Sequence, residues 1–189
     1  MPSKVRIIAG QWRGRNIEFP NLKSLRPTPD RVRETLFNWL SSYIVGAKCL
    51  DLFAGSGALG FEALSRGAAH AVLVDNNARV CKQLKKQAQI LNANNIRIVH
   101  QQATEFISDN RDSFDIVFID PPFNSKLAST LADMLLEHPM LNNKAMIYVE
   151  MPLSEKPKTS ETWRGWNILH SGKTSQVCYL LLTKGGTAD

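Results

Sequence analysis

Cysteine, glycine, proline and long apolar stretches are all scarce in this sequence of 189 residues. The three cysteines form no C-x-x-C pair, so neither a disulfide framework nor a zinc site is supported. The 11 glycines and 9 prolines are too few for a fibrous or low-complexity chain. No apolar run approaches the roughly 18 to 20 residues that cross a bilayer, and charge interrupts the opening residues where a signal peptide needs an apolar stretch. We therefore expect a globular, cytoplasmic protein without a membrane segment or a metal site.

Acidic side chains are sparse at the amino-terminal end. The formal net charge of the chain is +6, and the first 35 residues account for +5 of it. This asymmetry predicts either a basic arm that binds a polyanion, with nucleic acid as the first candidate, or an ordinary solvated basic face. The cations of this segment are Lys4, Arg6, Arg13, Arg15, Lys23, Arg26, Arg31 and Arg33.

Two short strand-like runs, residues 5–9 and 16–19, flank a glycine-containing connection and predict a β-hairpin. We assign residues 1–27 to a basic hairpin extension and residues 28–189 to a catalytic domain. Thr28 followed by Pro29 predicts the N-cap and first turn of a helix over about 29–43. The candidate RNA contacts of the extension are Arg6 and, at or near the hairpin tip, Trp12, Arg13 and Arg15.

From residue 48 onward, short apolar runs alternate with amphipathic helices, which predicts strand-helix-strand units and a parallel sheet. In the second of these helices, Val80, Leu84, Ala88 and Leu91 share one face. The lysines of its other face are interpreted as its solvated side. Two late strands, after residue 165, are predicted to be antiparallel. The predicted strands of the alternating part are 48–53, 70–75, 96–101, 114–120 and 145–150.

A glycine-rich loop of the form G-x-G-x-x-G follows the first strand of this sheet, with glycines at 55, 57 and 60. Glycine permits a sharp turn and lets a ligand approach the backbone closely. Asp75, at the end of the next strand, is placed to accept hydrogen bonds from ribose hydroxyls. The candidate cofactor-binding residues of this region are Phe53, Ala54, Gly55, Ser56, Gly57, Asp75 and Asn76.

Asp51 separates two cofactor classes that share this arrangement. A carboxylate at the end of the first strand would repel the pyrophosphate of a dinucleotide but attract the ammonium group of a methionine moiety. We therefore expect S-adenosylmethionine, with Asp51 among the residues that bind it.

The fourth strand runs directly into Asp120-Pro121-Pro122-Phe123. An exocyclic amine of a base is a poor nucleophile, so a catalyst must hold its hydrogens and aim its lone pair at the methyl carbon. Asp120 supplies a carboxylate acceptor and Pro121 a carbonyl acceptor, while the two prolines fix the backbone. Phe123 is predicted to stack on the base. We predict that these four residues form the catalytic site.

These motifs resemble class I S-adenosylmethionine-dependent methyltransferases that act on base amines. More narrowly, the segments 6–15 (RIIAGQWRGR) and 25–40 (LRPTPDRVRETLFNWL) resemble the bacterial RsmD family. That family methylates guanine N2 in 16S ribosomal RNA of the small subunit. The resemblance implies a Rossmann-like α/β fold with a seven-stranded, mostly parallel sheet whose last strand is reversed. It also implies a small-subunit RNA or 30S particle, or its precursor, as substrate.

The resemblance further implies positions for the donor. Arg26 and Thr28 would lie near its methionine end, and Asp120 to Phe123 would hold the guanine. Many class I enzymes carry an acid and a small residue after the third strand to bind the adenine amine. Here Gln102 and Ala103 stand there instead, so the adenine contact is expected from Gln102 or from backbone.

Three other functions fit parts of the sequence. The Asp-Pro-Pro-Phe segment would hold an adenine N6 amine equally well, in RNA or DNA. The glycine loop and Asp75 fit an NAD-type oxidoreductase, and the basic arm alone fits a non-catalytic RNA-binding module. We expect a monomeric rRNA guanine-N2 methyltransferase.

Overall fold

A computed structural model gives the three-dimensional structure and describes residues 3–22, 28–122, 126–136, 138–157 and 162–184. Two predicted site residues, Arg26 and Phe123, lie outside the described residues, so their expected roles remain predictions.

The predicted amino-terminal hairpin is confirmed. Strand β1 (Ser3–Arg6) pairs antiparallel with β2 (Asn16–Phe19). A five-residue turn region, 10–14, closes the far end, where Gly10 and Gly14 have positive φ angles of 82° and 81°. Gly10 also approaches another element closely, because a Cβ at this position would lie 1.8 Å from the Ser65 carbonyl oxygen.

The remaining elements form a mixed sheet with helices on both sides. The helices are α1 (Asp30–Trp39), α2 (Ala58–Ser65), α3 (Ala78–Leu91), α4 (Ala103–Asp109) and α5 (Leu127–Leu136), with a 3-10 turn at Leu153–Glu155. The strands are β3 (Lys48–Asp51), β4 (His70–Asp75), β5 (Ile96–His100), β6 (Phe114–Ile119), β7 (Leu141–Pro152), β8 (Thr162–Trp163), β9 (Trp166–Lys173) and β10 (Val177–Lys184).

The strands of the large sheet lie in the order β5-β4-β3-β6-β7-β10-β9-β8. The first five of these are mutually parallel, and β10 runs antiparallel to both of its neighbours, β7 and β9. The predicted reversal of the last strand and the late antiparallel pair are therefore confirmed.

The expected strand number of seven is wrong, because the large sheet has eight strands in the described part of the chain. The additional strand is the two-residue β8, which pairs with β9 through Trp163 and Trp166. A tight turn makes this pairing possible, since Arg164 and Gly165 adopt positive φ angles of 52° and 84°. Both tryptophans are buried, so the added strand covers apolar surface at the sheet edge.

Helix α1 begins and ends differently from the prediction. Pro29 occupies the N-cap position and no side chain caps the helix, so the expectation that Thr28 is the N-cap is wrong. The Thr28 hydroxyl instead donates to Oδ2 of Asp120 at 3.0 Å. The helix ends at Trp39 rather than near 43, because tight turns follow it: Tyr43 and Ile44 both donate to the Leu40 carbonyl.

The inner face of the hairpin is part of the hydrophobic core. Ile17 and Phe19 are buried in the same apolar cluster as helices α1, α2 and α3. Trp12 is only 9% exposed, and its ring lies 6.5 Å from that of Phe61 in an edge-to-face arrangement. The ring stabilises the attachment of the hairpin to α2. Little of it is exposed for the predicted RNA contact, which stays a prediction.

A buried ion-pair network also attaches the hairpin to the domain. Glu62 is fully buried, and its carboxylate accepts hydrogen bonds from the backbone of Ile8 at 2.8 Å and Ala9 at 3.0 Å. Arg33, also fully buried, lies 3.5 Å from Glu62 and donates to the Arg6 carbonyl at 2.9 Å. Arg33 is thus a structural cation, and its inclusion in a basic docking arm is corrected.

Candidate active site

A pocket of about 560 Å³ opens at the carboxyl edge of the parallel strands. It lies where β3 is flanked by β4 and β6, which is the point at which the strand order reverses. Ligands of open α/β sheets bind at such switch points. Most of the predicted cofactor-binding and catalytic residues line it: Thr28, Asp51, Phe53, Ala54, Gly55, Ser56, Asp75, Asn76, Gln102, Ala103, Asp120, Pro121 and Pro122.

The glycine-rich loop forms one wall of this pocket. Its start is held to the sheet, because Ala54 donates to the Val74 carbonyl at 2.9 Å. The chain then turns sharply, and Gly57 donates to the Ala54 carbonyl at 2.6 Å. Gly55 has a positive φ of 48° and directs its N–H to Oδ2 of Asp75 at 2.9 Å.

Gly57 does not line the pocket. Its φ of 78° places it in the left-handed region, and a Cβ there would lie 2.7 Å from side-chain atoms of Leu84 and Phe61. Gly57 therefore permits the turn and the packing of α2 against α3, and its predicted cofactor contact stays a prediction.

Asp75 is fixed at the end of β4 by its own loop neighbours. One carboxylate oxygen accepts from Gly55, and the other accepts from the Asn77 backbone at 2.8 Å. Burial raises the pKa of Asp75, and these two backbone hydrogen bonds act in the opposite direction. Each oxygen retains a lone pair, so the carboxylate can still accept bonds from the hydroxyls of a bound ribose.

Asp51, at the end of β3, is 2% exposed. Burial raises its pKa to about 7, and the nearby Asp120 charge adds to the shift. A buried carboxyl of this kind gains most from a cationic ligand, because a positive charge restores its ionised form. The chemistry of this wall fits an ammonium group.

Asp120 follows β6 directly and is held by Thr28, whose hydroxyl donates to its Oδ2 at 3.0 Å. Burial raises the pKa of Asp120 to about 6, while the Thr28 hydrogen bond lowers it. Pro121 and Pro122 continue from it along the pocket wall. The described part of the Asp-Pro-Pro-Phe segment thus lies in the same pocket as the glycine loop.

Glu150 and Tyr148, both on β7, lie behind Asp120 and were missed by the sequence analysis. The Tyr148 hydroxyl donates to Oε1 of Glu150 at 2.7 Å. Burial, followed by the Asp120 charge, raises the pKa of Glu150 to about 8, and hydrogen bonding by Tyr148 and Thr28 lowers it. An acid within the apolar run Ile147–Met151 was the available sequence signal, because a buried carboxyl requires partners.

The three predicted RNA-binding arginines do not lie at this pocket. Ser65, the last residue of α2, accepts at its carbonyl from Gln11 and donates its hydroxyl to the Ala9 carbonyl. Arg15 donates to the carbonyl of Ile90 at 3.2 Å, near the end of α3. Because α2 and α3 both begin at the pocket and run away from it, the hairpin tip lies at the opposite edge of the sheet.

The described residues contain no group of three or more His, Cys, Asp or Glu side chains that could hold a metal ion. In the same residues, no helix is both long and apolar enough to cross a membrane.

The strand order with its reversed last strand, together with an acidic pocket at the switch point, defines a Rossmann-like class I methyltransferase fold. The family model described as Conserved hypothetical protein 95 matches residues 5–183, and the chain belongs to this family.

Known relatives cover nearly the whole chain. It is 45% identical to Ribosomal RNA small subunit methyltransferase D of Escherichia coli over 178 residues, which are 94% of this chain and 89% of that protein. It is also 45% identical to the protein of the same name from Haemophilus influenzae, over 94% of this chain and 93% of that one. The solved structure of yhhF from Escherichia coli superposes with a TM-score of 0.87 at 42% identity, covering 96% and 98% of the two chains.

Proposed function

We propose that this protein is an S-adenosylmethionine-dependent methyltransferase that modifies the N2 amine of a guanine in small-subunit ribosomal RNA. The relatives that are 45% identical are named as small-subunit rRNA methyltransferases, which supports the substrate class. The observation that carries the proposal is the position of Asp120. Its carboxylate is oriented by Thr28 in the wall of the pocket that the glycine loop and Asp75 also line.

The donor would be held by residues from three strand ends. Asp75 would accept bonds from the ribose hydroxyls, Asp51 would face the ammonium group, and Gln102 with Ala103 would lie beside the adenine. When bound, S-adenosylmethionine supplies an electrophilic methyl carbon on a sulfonium sulfur. The acidic walls fit this cationic ligand, since burial raises the pKa values of Asp51 and Asp75 and a positive charge beside them favours their ionised forms.

Asp120 and Pro121 would position the base. A free oxygen of the Asp120 carboxylate and the Pro121 carbonyl would accept the two hydrogens of the amine, which directs the nitrogen lone pair at the methyl carbon. Such placement lowers the entropic part of the barrier. Asp120 would then accept the proton that nitrogen sheds, directly or through water, and its pKa of about 6 suits a group that must be ionised at neutral pH.

The RNA would deliver one unstacked guanine. An amine inside a paired stack cannot enter the pocket, so the base must be flipped or lie in a single-stranded loop. We expect an assembled small-subunit particle or its precursor to be the better substrate than short RNA, since shape rather than base contacts would supply specificity. The enzyme would act as a monomer in the cytoplasm.

The test is product analysis. The protein is incubated with labelled S-adenosylmethionine and unmodified small-subunit particles, and the RNA is digested to nucleosides. We expect label in N2-methylguanosine. Label in N6-methyladenosine would support the adenine-N6 alternative, and an absence of label in RNA would contradict methyl transfer. Thermal stabilisation by NAD and not by S-adenosylmethionine would support the oxidoreductase alternative.

A further inference from the structure

Helix α3 runs from the pocket to the tip of the amino-terminal hairpin, the two regions that the proposed function assigns to chemistry and to RNA binding. Asn77, its N-cap, lines the pocket, whereas Ile90 near its end accepts the hydrogen bond from Arg15 of the hairpin. At 1.5 Å per residue, these 13 steps separate the pocket from the hairpin tip by about 20 Å. A basic tip at this distance cannot hold the target nucleotide itself, so RNA must cover the surface between them if it contacts both.

The side of the helix next to the hairpin carries only one sign of charge. Arg79, Lys82 and Lys86 are all exposed and follow the i, i+3, i+7 spacing of one helix face. Gln83 borders this face and donates to the Glu18 carbonyl of β2 at 3.1 Å, which places the hairpin alongside. We call Arg79, Lys82 and Lys86 the α3 basic stripe.

No acid neutralises the α3 basic stripe from its own segment. The sequence contains no Asp or Glu from residue 76 to residue 104, although this stretch contains five cations. Among the described residues, the stripe forms none of the observed ion pairs. Like charges three and four residues apart destabilise a helix by about 0.2–0.5 kcal/mol per pair. A helix selected only for a solvated surface would gain stability from a glutamate at these positions.

We infer that α3 is a phosphate track: RNA whose target base enters the pocket runs along the helix, with its backbone on Arg79, Lys82 and Lys86, and reaches Arg15 and Arg13 at the hairpin tip. This inference rests on the proposed function and adds the surface that the RNA follows. It replaces the interpretation of the α3 lysines as a merely solvated face. The pocket is acidic, so phosphates are repelled there and attracted along the stripe and at the hairpin tip.

The test compares two double variants with the same loss of charge. Lys82→Gln with Lys86→Gln removes two cations from the stripe and relieves like-charge repulsion within the helix. Lys144→Gln with Lys173→Gln removes two exposed cations from β7 and β9, in the other half of the sheet. A third variant, Arg13→Gln with Arg15→Gln, removes the hairpin end of the track.

Binding of each variant to unmodified small-subunit particles is measured at salt concentrations from about 50 to 200 mM, together with methylation kinetics. Each lost phosphate contact flattens the slope of log affinity against log salt by about 0.7 to 0.9. We expect the stripe and tip variants to flatten the slope by about 1.5 and weaken binding about tenfold. KM for the particle should rise while kcat and the Kd for S-adenosylmethionine stay unchanged. The β7 and β9 variant should match the wild type.

In one outcome, the wild type methylates the particle while the stripe variant matches the β7 and β9 variant in salt slope and affinity. That result would overturn the proposed RNA path along α3 and leave the proposed function standing. A wild type that transfers no methyl group to the particle would remove the proposed function and the track with it. Thermal unfolding of the stripe variant should be unchanged or shifted upward, so weaker binding cannot be attributed to loss of structure.

Discussion

The two edges of the central sheet carry opposite charges. At the carboxyl edge, Asp51, Asp75 and Asp120 surround the pocket, with Glu150 buried behind them. At the amino edge, the hairpin tip presents Arg13 and Arg15. The acidic edge suits a cationic donor and a neutral base, whereas the basic edge suits phosphates. Under the proposed function, chemistry and RNA affinity are therefore separated in space, so variants should remove one and leave the other.

The largest effect is expected from Asp120→Asn. The substitution keeps the size of the side chain but removes the charge and the proton acceptor, which costs about 10²–10⁴-fold in rate for a general base. We expect kcat to fall within this range while the Kd values for RNA and S-adenosylmethionine change less than about threefold. Full kcat in Asp120→Asn would show that the acidic edge does not perform the chemistry.

The next effect concerns stability. Arg33→Met removes the fully buried one of the two arginines that pair with Glu62, the other being Arg66 at 2.7 Å. Breaking a buried ion pair costs about 3–5 kcal/mol, and the remaining pair places the expected effect at the lower end. We expect the free energy of unfolding, measured in urea, to fall by about 3 kcal/mol. Arg31→Met, at an exposed position of the same helix, is the matched control and should change it by less than about 0.5 kcal/mol. Equal changes in the free energy of unfolding for Arg33→Met and Arg31→Met would mean that the buried ion pair does not stabilise the attachment of the hairpin.

Thr28 provides a smaller test of the pocket. Thr28→Val removes the hydroxyl that orients Asp120, and a lost hydrogen bond to a charged group is worth about 1.5–3 kcal/mol. We expect kcat to fall about tenfold or more, with Thr28→Ser retaining most activity because it keeps the hydroxyl. Stopped-time methylation assays of both variants check this. Equal losses in the two would assign the effect to packing by the Thr28 methyl group.

The smallest effect is a pH dependence from Asp51. Its pKa of about 7 lies above the ordinary value of 3.8. Between these two pH values the folded protein therefore retains a proton that the unfolded chain releases. Its contribution to the free energy of unfolding is therefore fully present below pH 4 and lost as pH rises through 7. Donor binding favours the ionised carboxyl, so affinity should rise with pH over the same range.

Calorimetric titration of S-adenosylmethionine at several pH values tests this. Asp120 lines the same pocket and Glu150 is buried behind it, and burial raises their pKa values to about 6 and about 8, so both contribute to the profile of the wild type. The expected difference is a shallower pH dependence of the Kd in Asp51→Asn. Identical profiles in the two proteins would place the ammonium group away from Asp51.

Local sequence patterns were sufficient for most of the fold and for the location of the site. Alternating apolar runs predicted β3 to β7, and the positions of Gly55, Asp75 and Asp120 at strand ends predicted that they meet at one edge. These inferences work because parallel strands bring their carboxyl ends together. The reversed last strand was implied by family resemblance and not by composition.

Long-range packing decided the features that sequence did not predict. The pattern that predicted an N-cap at Thr28 involves only neighbouring residues. The Thr28 hydroxyl instead donates to Asp120, which is 92 positions away in the sequence. Trp12 and Arg33 have side chains typical of RNA contacts, yet they bury against Phe61 and Glu62. Such pairings depend on how α2 packs against the hairpin, and no short segment of the sequence specifies that.

The most direct measurement is the structure of the ternary complex with S-adenosylhomocysteine and an rRNA fragment or particle. Our expectation is that the guanine N2 atom lies within hydrogen-bond distance, about 2.7–3.2 Å, of an Asp120 carboxylate oxygen and of the Pro121 carbonyl. A guanine amine bound elsewhere, with the Asp-Pro-Pro turn facing solvent, would contradict it.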